Sequence, residues 1–358
     1  MERTPRRFWT FAITAGAVLV ILAAAASGLF QLVVQSVPGY RADVEHYVRE
    51  LTGRDVRIEQ LGLTWRYYYP SLDLNGVALL AADGATPVLR AERLRLGFAL
   101  TRLLRGDTTP SRLELHGLGI NATVGRDGQV TVQGIEVGAA GAGTGEALEA
   151  LGPLARFSRV RLERCRVNLR DERRGDEVYS FGIAEAALDR GLLGDVLSLD
   201  LALPASLGDS ARLEVFFNGE LLQPSSWSGT VSGEVTGLVA RTWLEPYLVR
   251  GARVEAAETR LRFSGGLGEG HLQSARVELS AGPVIAQRAQ HQAQLEALEV
   301  QGRVEAIAGG WRARIERMSF SGASGQWSSA GELTATRTPA GRWAFDGSAE
   351  YLRVGEFA

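Results

Sequence analysis

The sequence predicts a mainly β protein. An N-terminal transmembrane helix and a short amphipathic helix precede an elongated antiparallel sheet curled into a hydrophobic groove. Three observations carry this. Phe8 to Phe30 is an almost uninterrupted apolar run preceded by Arg3, Arg6 and Arg7. From Asp55 onward, apolar residues recur at every second position in short stretches, the period of strands with one hidden face. Glycine is abundant, at 43 residues against 11 prolines, which suits many short strands joined by tight turns.

A run of about 20 apolar residues is long enough to cross a bilayer as one helix. A helix also satisfies its own backbone hydrogen bonds there. Basic residues before the run, with no matching arginine cluster just after it, place the N-terminus in the cytoplasm and the bulk of the chain on the far side. A cleaved signal peptide is the alternative, because Ala23-Ala24-Ala25-Ala26-Ser27-Gly28 offers small residues for cleavage. The apolar character nevertheless continues through Leu29, Phe30, Leu32, Val33 and Val34. Both routes export the same domain.

Pro38-Gly39 breaks the first helix. Val44, Tyr47, Val48 and Leu51 then share one helical face, and Thr52-Gly53 stops it. Arg41, Asp43, Glu45, Arg49 and Glu50 occupy the other side. This helix either lies on the membrane surface or packs on the first strands.

The strand pattern starts with Val56 and Ile58, continues through Leu61, Leu63 and Trp65, and resumes at Leu72 and Leu74. Leu94, Leu96, Phe98 and Leu100 read as one further strand. Leu113 and Leu115 give way to Leu118, Ile120, Ala122 and Val124, with the phase changing at Gly117, which predicts a bulge. Arg126-Asp127-Gly128 predicts a hairpin, since Asp-Gly tolerates the positive φ of tight turns. Gly138 to Gly145 is a Gly/Ala-rich loop. Strands resume at Val160 and Leu162, at Val167 and Leu169, and in the regular series Leu197, Leu199, Leu201, Leu203. Leu213, Val215 and Phe217 follow, then a short helix within Val239 to Val249. Later strands carry Leu261 and Phe263, Val277 and Leu279, Val300 and Val304, Trp311, Ala313 and Ile315, and Trp343 and Phe345.

These features divide the chain into 1–36 (cytoplasmic stub and anchor), 37–137 (helix and first β module), 138–152 (Gly/Ala-rich loop) and 153–358 (continuing strands). Tyr351 to Ala358 neither cap nor close anything, so a longer chain is expected.

A net charge of -2 and a pI near 6.2 argue against a nucleic-acid partner, which needs a basic face. Every basic residue is arginine, and this bias carries no function. The one cysteine, Cys165, has no partner for an internal disulfide. No G-x-S-x-G, P-loop or H-E-x-x-H is present, and His46, His116, His271 and His291 are scattered. The expectation is therefore no catalysis, no metal and no cofactor. The charged stretch Arg170 to Glu177 reads as a solvated loop or a phospholipid headgroup contact, and Trp65 with Tyr67, Tyr68 and Tyr69 reads as interface aromatics or strand-end packing.

Roughly twenty strands, each with one apolar face, form either stacked sheets whose hidden faces cover each other or one long sheet. At about 4.8 Å per strand, a single sheet of twenty runs roughly 100 Å. An open apolar face needs an occupant, and acyl chains fit. Exposing a chain of ~16 carbons to water costs over 10 kcal/mol at about 0.8 kcal/mol per methylene, so a continuous apolar path lowers the barrier at every step. The candidate lining positions are Leu72, Leu74, Leu94, Leu96 and Phe98, then Leu113 and Leu115, then Leu197, Leu199, Leu201 and Val215, and finally Leu261, Val277 and Ile315.

The order of several short segments resembles the start of AsmA-like proteins. These are the anchor, Leu51-Thr52-Gly53-Arg54-Asp55-Val56, Trp65, Pro70-Ser71-Leu72-Asp73-Leu74-Asn75-Gly76-Val77, Ala91-Glu92-Arg93-Leu94-Arg95-Leu96, Leu103-Leu104-Arg105-Gly106 and Leu113-Glu114-Leu115-His116-Gly117-Leu118. Trp227-Ser228-Gly229 and Arg241-Thr242-Trp243-Leu244 extend the likeness toward the YhdP branch. The resemblance implies a protein of the Gram-negative inner membrane whose periplasmic part is a long hydrophobic β-groove. It implies phospholipid as the partner, carried between inner and outer membranes, and another envelope protein at the distal end. The design is similar to that of bridge-like lipid transfer proteins with a chorein-type N-terminus. A periplasmic scaffold or assembly factor that recruits outer-membrane proteins by strand addition is the alternative.

Overall fold

The computed structural model describes residues 42, 45–46, 49, 55–66, 69–80, 87–132, 135–139, 152–174, 177–244, 252–288, 291–307, 310–322, 325–337 and 343–349. The expected membrane span, Phe8 to Phe30, lies outside the described residues. Among those residues no helix is long and apolar enough to cross a membrane. The fold is mainly β and divides into two compact units, Met1–Pro110 and Ser111–Ala358.

In the first unit β1 (Val56–Arg66), β2 (Tyr69–Leu80) and β3 (Pro87–Gly97) form an antiparallel meander. The short helix expected before it is represented by Ala42, Glu45, His46 and Arg49, all helical. Its apolar positions Val44, Tyr47, Val48 and Leu51 lie outside the described residues. Glu45 belongs to the charged side of the helix, and its carboxylate accepts the Ile58 backbone N–H at 2.8 Å. Arg49 pairs with Asp55. The helix is thus tied to the first strand, and Ile58, Leu61 and Leu74 form a closed core with Val56, Leu72, Val77 and Leu94 packed around it.

The alternation that hides these residues is interrupted once in each strand. Ile58 pairs with Val77, but the next apolar pair is Leu61 with Leu74. Val77 in turn pairs with Ala91, and Leu74 with Leu94. All three strands change phase together at Glu59, Gly76 and Glu92. Gly76 makes this possible with φ +60, and a Cβ there would come within 2.4 Å of the Glu59 carboxyl carbon. Beyond β3 the strand reading fails. Gly97 is the last strand residue, Phe98 lies just past it, and Leu100 opens the short helix Leu100–Leu103. The Phe98 N–H is donated to Pro70 O at 3.0 Å, so the segment turns away after one more bond.

The second unit contains β4 (Arg112–His116), β5 (Gly119–Val124), β6 (Gln129–Val132), β7 (Ile135–Ala139), β8 (Arg159–Asp171), β9 (Glu177–Arg190), β10 (Asp195–Ala202), β11 (Ser210–Asn218) and β12 (Ser228–Thr236). The chain continues with β13 (Ala252–Ala256), β14 (Arg260–Gly268), β15 (His271–Ala281), β16 (Val284–Arg288), β17 (His291–Leu295), β18 (Ala297–Ile307), β19 (Gly310–Gly322), β20 (Gly325–Arg337) and β21 (Trp343–Ala349). From β8 onward the large sheet runs in order of sequence, each strand antiparallel to the next, while β13, β16 and β17 leave it and pair with one another as a separate three-stranded sheet.

Two features correct the uniform antiparallel meander read from the sequence. One is that small side sheet. The other is that β4 and β5 both run parallel to β8. Of the segment expected as a Gly/Ala-rich loop, Gly138 and Ala139 end β7 and Gly152 opens the 3-10 turn Gly152–Arg156, while residues 140–151 lie outside the described residues. The Asp-Gly hairpin is present, with Gly128 at φ +85, Gly125 N–H donated to Gln129 O at 2.8 Å and Gln129 N–H donated to Asp127 Oδ1 at 3.0 Å. The phase change at Gly117 is present too, at φ +64. It continues into β8, where Arg164 has φ +52, and into β9 near Ala184, and it ends as a register shift between Asp200 and Leu201. Val160 to Leu169, which the alternation splits into two stretches, is a single strand carrying that break.

The expected helix between strands is Ala240–Leu244. The charged stretch after β8 makes the 3-10 turn Glu172–Arg174, with Arg173 Nε 3.0 Å from Asp171 Oδ1.

Candidate apolar binding face

The registers of the second unit align its apolar residues into three rows that cross the strands. One row runs Leu115–Leu162–Ala186–Leu199–Leu213–Gly233, and then Phe263–Val277–Gly302–Ile315–Gly331. A second runs Leu113–Val160–Leu188–Leu197–Val215–Val231, and then Gly265–Ala275–Val304–Ala313–Leu333. The third starts at Cys165 and Ile183 and includes Leu201, Ala211, Val235, Leu261, Leu279, Val300 and Met318. All nine lining candidates of this unit fall in these rows. The other five, Leu72, Leu74, Leu94, Leu96 and Phe98, belong to the first unit, where Leu72 faces Leu96 and Leu74 faces Leu94.

Most residues of the rows are half-buried. Leu199, Leu213, Phe263, Val277 and Ile315 all keep part of their surface accessible, and Val215 and Ala275 are among the few fully buried. A second apolar layer laid over the sheet would have buried them all, as sandwich cores do. Eleven strands spaced about 4.8 Å apart and three rows about 7 Å apart describe a strip on the order of 700 Å². A strip of that extent lies at the upper end of the apolar patches that soluble surfaces carry, and patches of that size mark interaction sites.

Phe263 covers its cross-strand partner Gly233. A Cβ on that glycine would come within 2.5 Å of Phe263 Cζ. The large ring is therefore accommodated by an absent side chain.

The residues between the rows are charged. Asp200, Arg212, Glu234, Arg262 and Glu278 are successive cross-strand partners of alternating sign. Arg212 Nε lies 2.7 Å from Asp200 Oδ1, and Arg262 Nε lies 3.0 Å from Glu234 Oε1. The Asp200 hydrogen bond raises the Arg212 pKa above its ordinary value. Such exposed pairs are screened by solvent, so they fix the wet face and add little stability. His116 Nδ1 sits 3.2 Å from Glu163 Oε2, an ion-pair approach without hydrogen-bond alignment. Cys165 is a buried free thiol whose pKa is raised chiefly by burial, which argues against nucleophilic use.

The alternating leucines do not reveal a recess of about 250 Å³ at the β8 end of the face. Leu162, Ala186 and Leu197 line it from the sheet, and Leu154 from the 3-10 turn Gly152–Arg156. Leu221 and Trp227 line it from the connection between β11 and β12. Trp227 stacks on Phe217 with ring centroids 4.3 Å apart and donates its indole N–H to Glu220 O at 2.8 Å. The sequence signal was Trp227 itself, a large aromatic placed in a turn.

A protein-family model described as YhdP protein matches residues 1–358. The chain belongs to the YhdP family. No curated protein matches it. Two of the segments shared with AsmA-like proteins, Leu72 to Val77 and Leu113 to Leu118, carry the pattern Leu-acidic-Leu-x-Gly-apolar. In both, the glycine holds φ near +60 where the strands change phase. The motif residues therefore serve the sheet's geometry.

Proposed function

We propose that this YhdP-family chain is a conduit for glycerophospholipid between the inner and outer membranes, performing no chemistry. On this reading residues 1–36 anchor it in the bacterial inner membrane with the N-terminus in the cytoplasm, and the strands lie in the periplasm. Phospholipid acyl chains rest on the apolar rows while headgroups stay in water, and another envelope protein receives them. The single observation that supports the reading best is the set of three half-buried apolar rows backed by a charged face. A core that held only the fold together would be closed. Since a passive face has no intrinsic direction, direction comes from gradients or partners.

Photo-crosslinking side chains placed at Leu115, Leu199 and Ile315, which share one row, test the proposal. The expected result is covalent phospholipid adducts at all three, identified by mass spectrometry after extraction. Adducts with protein alone would overturn the conduit and favour the scaffold.

A further inference from the structure

We propose that the recess at the β8 end of the apolar face is a pocket for the terminal segment of a fatty-acyl chain. The inference rests on the conduit reading and deepens it by giving the face one defined seat.

The chemistry of the lining selects the occupant. Only apolar side chains line the recess. A peptide inserted there would bring backbone N–H and C=O groups that find no partner, and each would carry its full desolvation penalty. An alkyl chain brings none. Trp227 is the one lining residue with a polar atom in its side chain, and its N–H is already committed to Glu220 O.

Size and position select the part of the lipid. Sites for drug-sized ligands begin at roughly 300 Å³, so a recess of about 250 Å³ takes a portion of a phospholipid. Leu162 and Ala186 belong to one apolar row, and Leu197 belongs to the next. The rest of an acyl chain whose end is seated here therefore continues onto the same face.

The lid is a built element. Ser226 Oγ is donated to Gln223 O at 2.7 Å and accepts the Glu220 N–H at 2.8 Å, which closes the turn that presents Leu221 and Trp227. Phe217, only 1% exposed, braces the indole from β11.

The test uses the full chain in nanodiscs doped with a phospholipid that carries a nitroxide either near the acyl carboxyl or near the terminal methyl. Trp227 emission is taken as the difference between the parent and Trp227→Phe. The expected result is several-fold stronger quenching by the terminal-methyl label. Ala186→Phe, which fills the recess, should abolish that preference while lipid is still recovered by extraction. A free alkane of acyl length should compete the quenching away in the parent, giving a measurement that needs no folded variant. Equal quenching by the two labels, or a preference that survives both Ala186→Phe and the alkane, overturns the pocket. If lipid is extracted from the parent without position-dependent quenching, the pocket fails and the conduit stands. If no lipid is extracted at all, both fail.

Discussion

The three strands of the first unit and the long sheet of the second follow the same alternation, yet they dispose of their apolar faces differently. In the first, Ile58 is 0% and Leu74 is 2% exposed, with the Glu45 helix tied to the same strand. In the second, leucines at equivalent alternate positions, such as Leu199 and Leu213, stay half-buried across strand after strand. Alternation alone therefore does not distinguish a closed core from an open face. What distinguishes them among the described residues is how much of each apolar side chain stays accessible.

The largest expected difference is between two identical truncations. Leu74→Ala should destabilise the fold by about 2–5 kcal/mol, the cost of emptying a closed core. Leu199→Ala should cost roughly 1 kcal/mol or less, because part of that side chain already meets water. Denaturant unfolding of the two variants decides it, and equal losses would break the distinction. The same Leu199 changed to Asp should stop phospholipid adducts at Ile315 with little change in folding.

Glycine substitution sharpens the picture within the first unit. Gly76→Ala should cost about 1–3 kcal/mol, since φ +60 is strained for any L residue and the flexible Glu59 side chain must swing away from the new Cβ. Gly106 has φ +81 but open space around its Cβ position, so Gly106→Ala should show only the strain, about 1 kcal/mol. A comparison of thermal midpoints separates strain from clash.

The smallest effect marks where the second unit is closed. Burial raises the Cys165 thiol above its ordinary value of 9.0. A raised folded-state pKa means that its contribution to stability is fully present below the unfolded value and is lost as pH rises through the folded one. The stability of the parent relative to Cys165→Ala should therefore fall as pH climbs past 9.0. A pH-independent difference would mean that the strands open there readily.

Much of this architecture was legible where the inward residues are large. Leu197, Leu199 and Leu201 identified β10, and Trp311, Ala313 and Ile315 identified β19. The strands that escaped notice hold their inward positions with small residues. β12 alternates Gly229, Val231, Gly233 and Val235, and β20 places Ser329 and Gly331 opposite Met318 and Ile315. β9 has Gly182, Ala184 and Ala186 around its phase change, so no period of two emerges. Phe98 and Leu100 kept the period after the backbone had already turned. The parallel return of β8 to β4 and β5 is a long-range choice with no local signal. The recess escaped for the same reason, since its lid comes from a connection and its floor from four strands.

A strip as greasy as the one in the second unit has no comfortable vacant state. Stripped of whatever covers it, the molecule would find the next best cover in another copy of itself, sheet against sheet. The cargo of such a protein would then double as its solubiliser, and purification with harsh detergent should convert a dispersed species into one whose size grows with concentration.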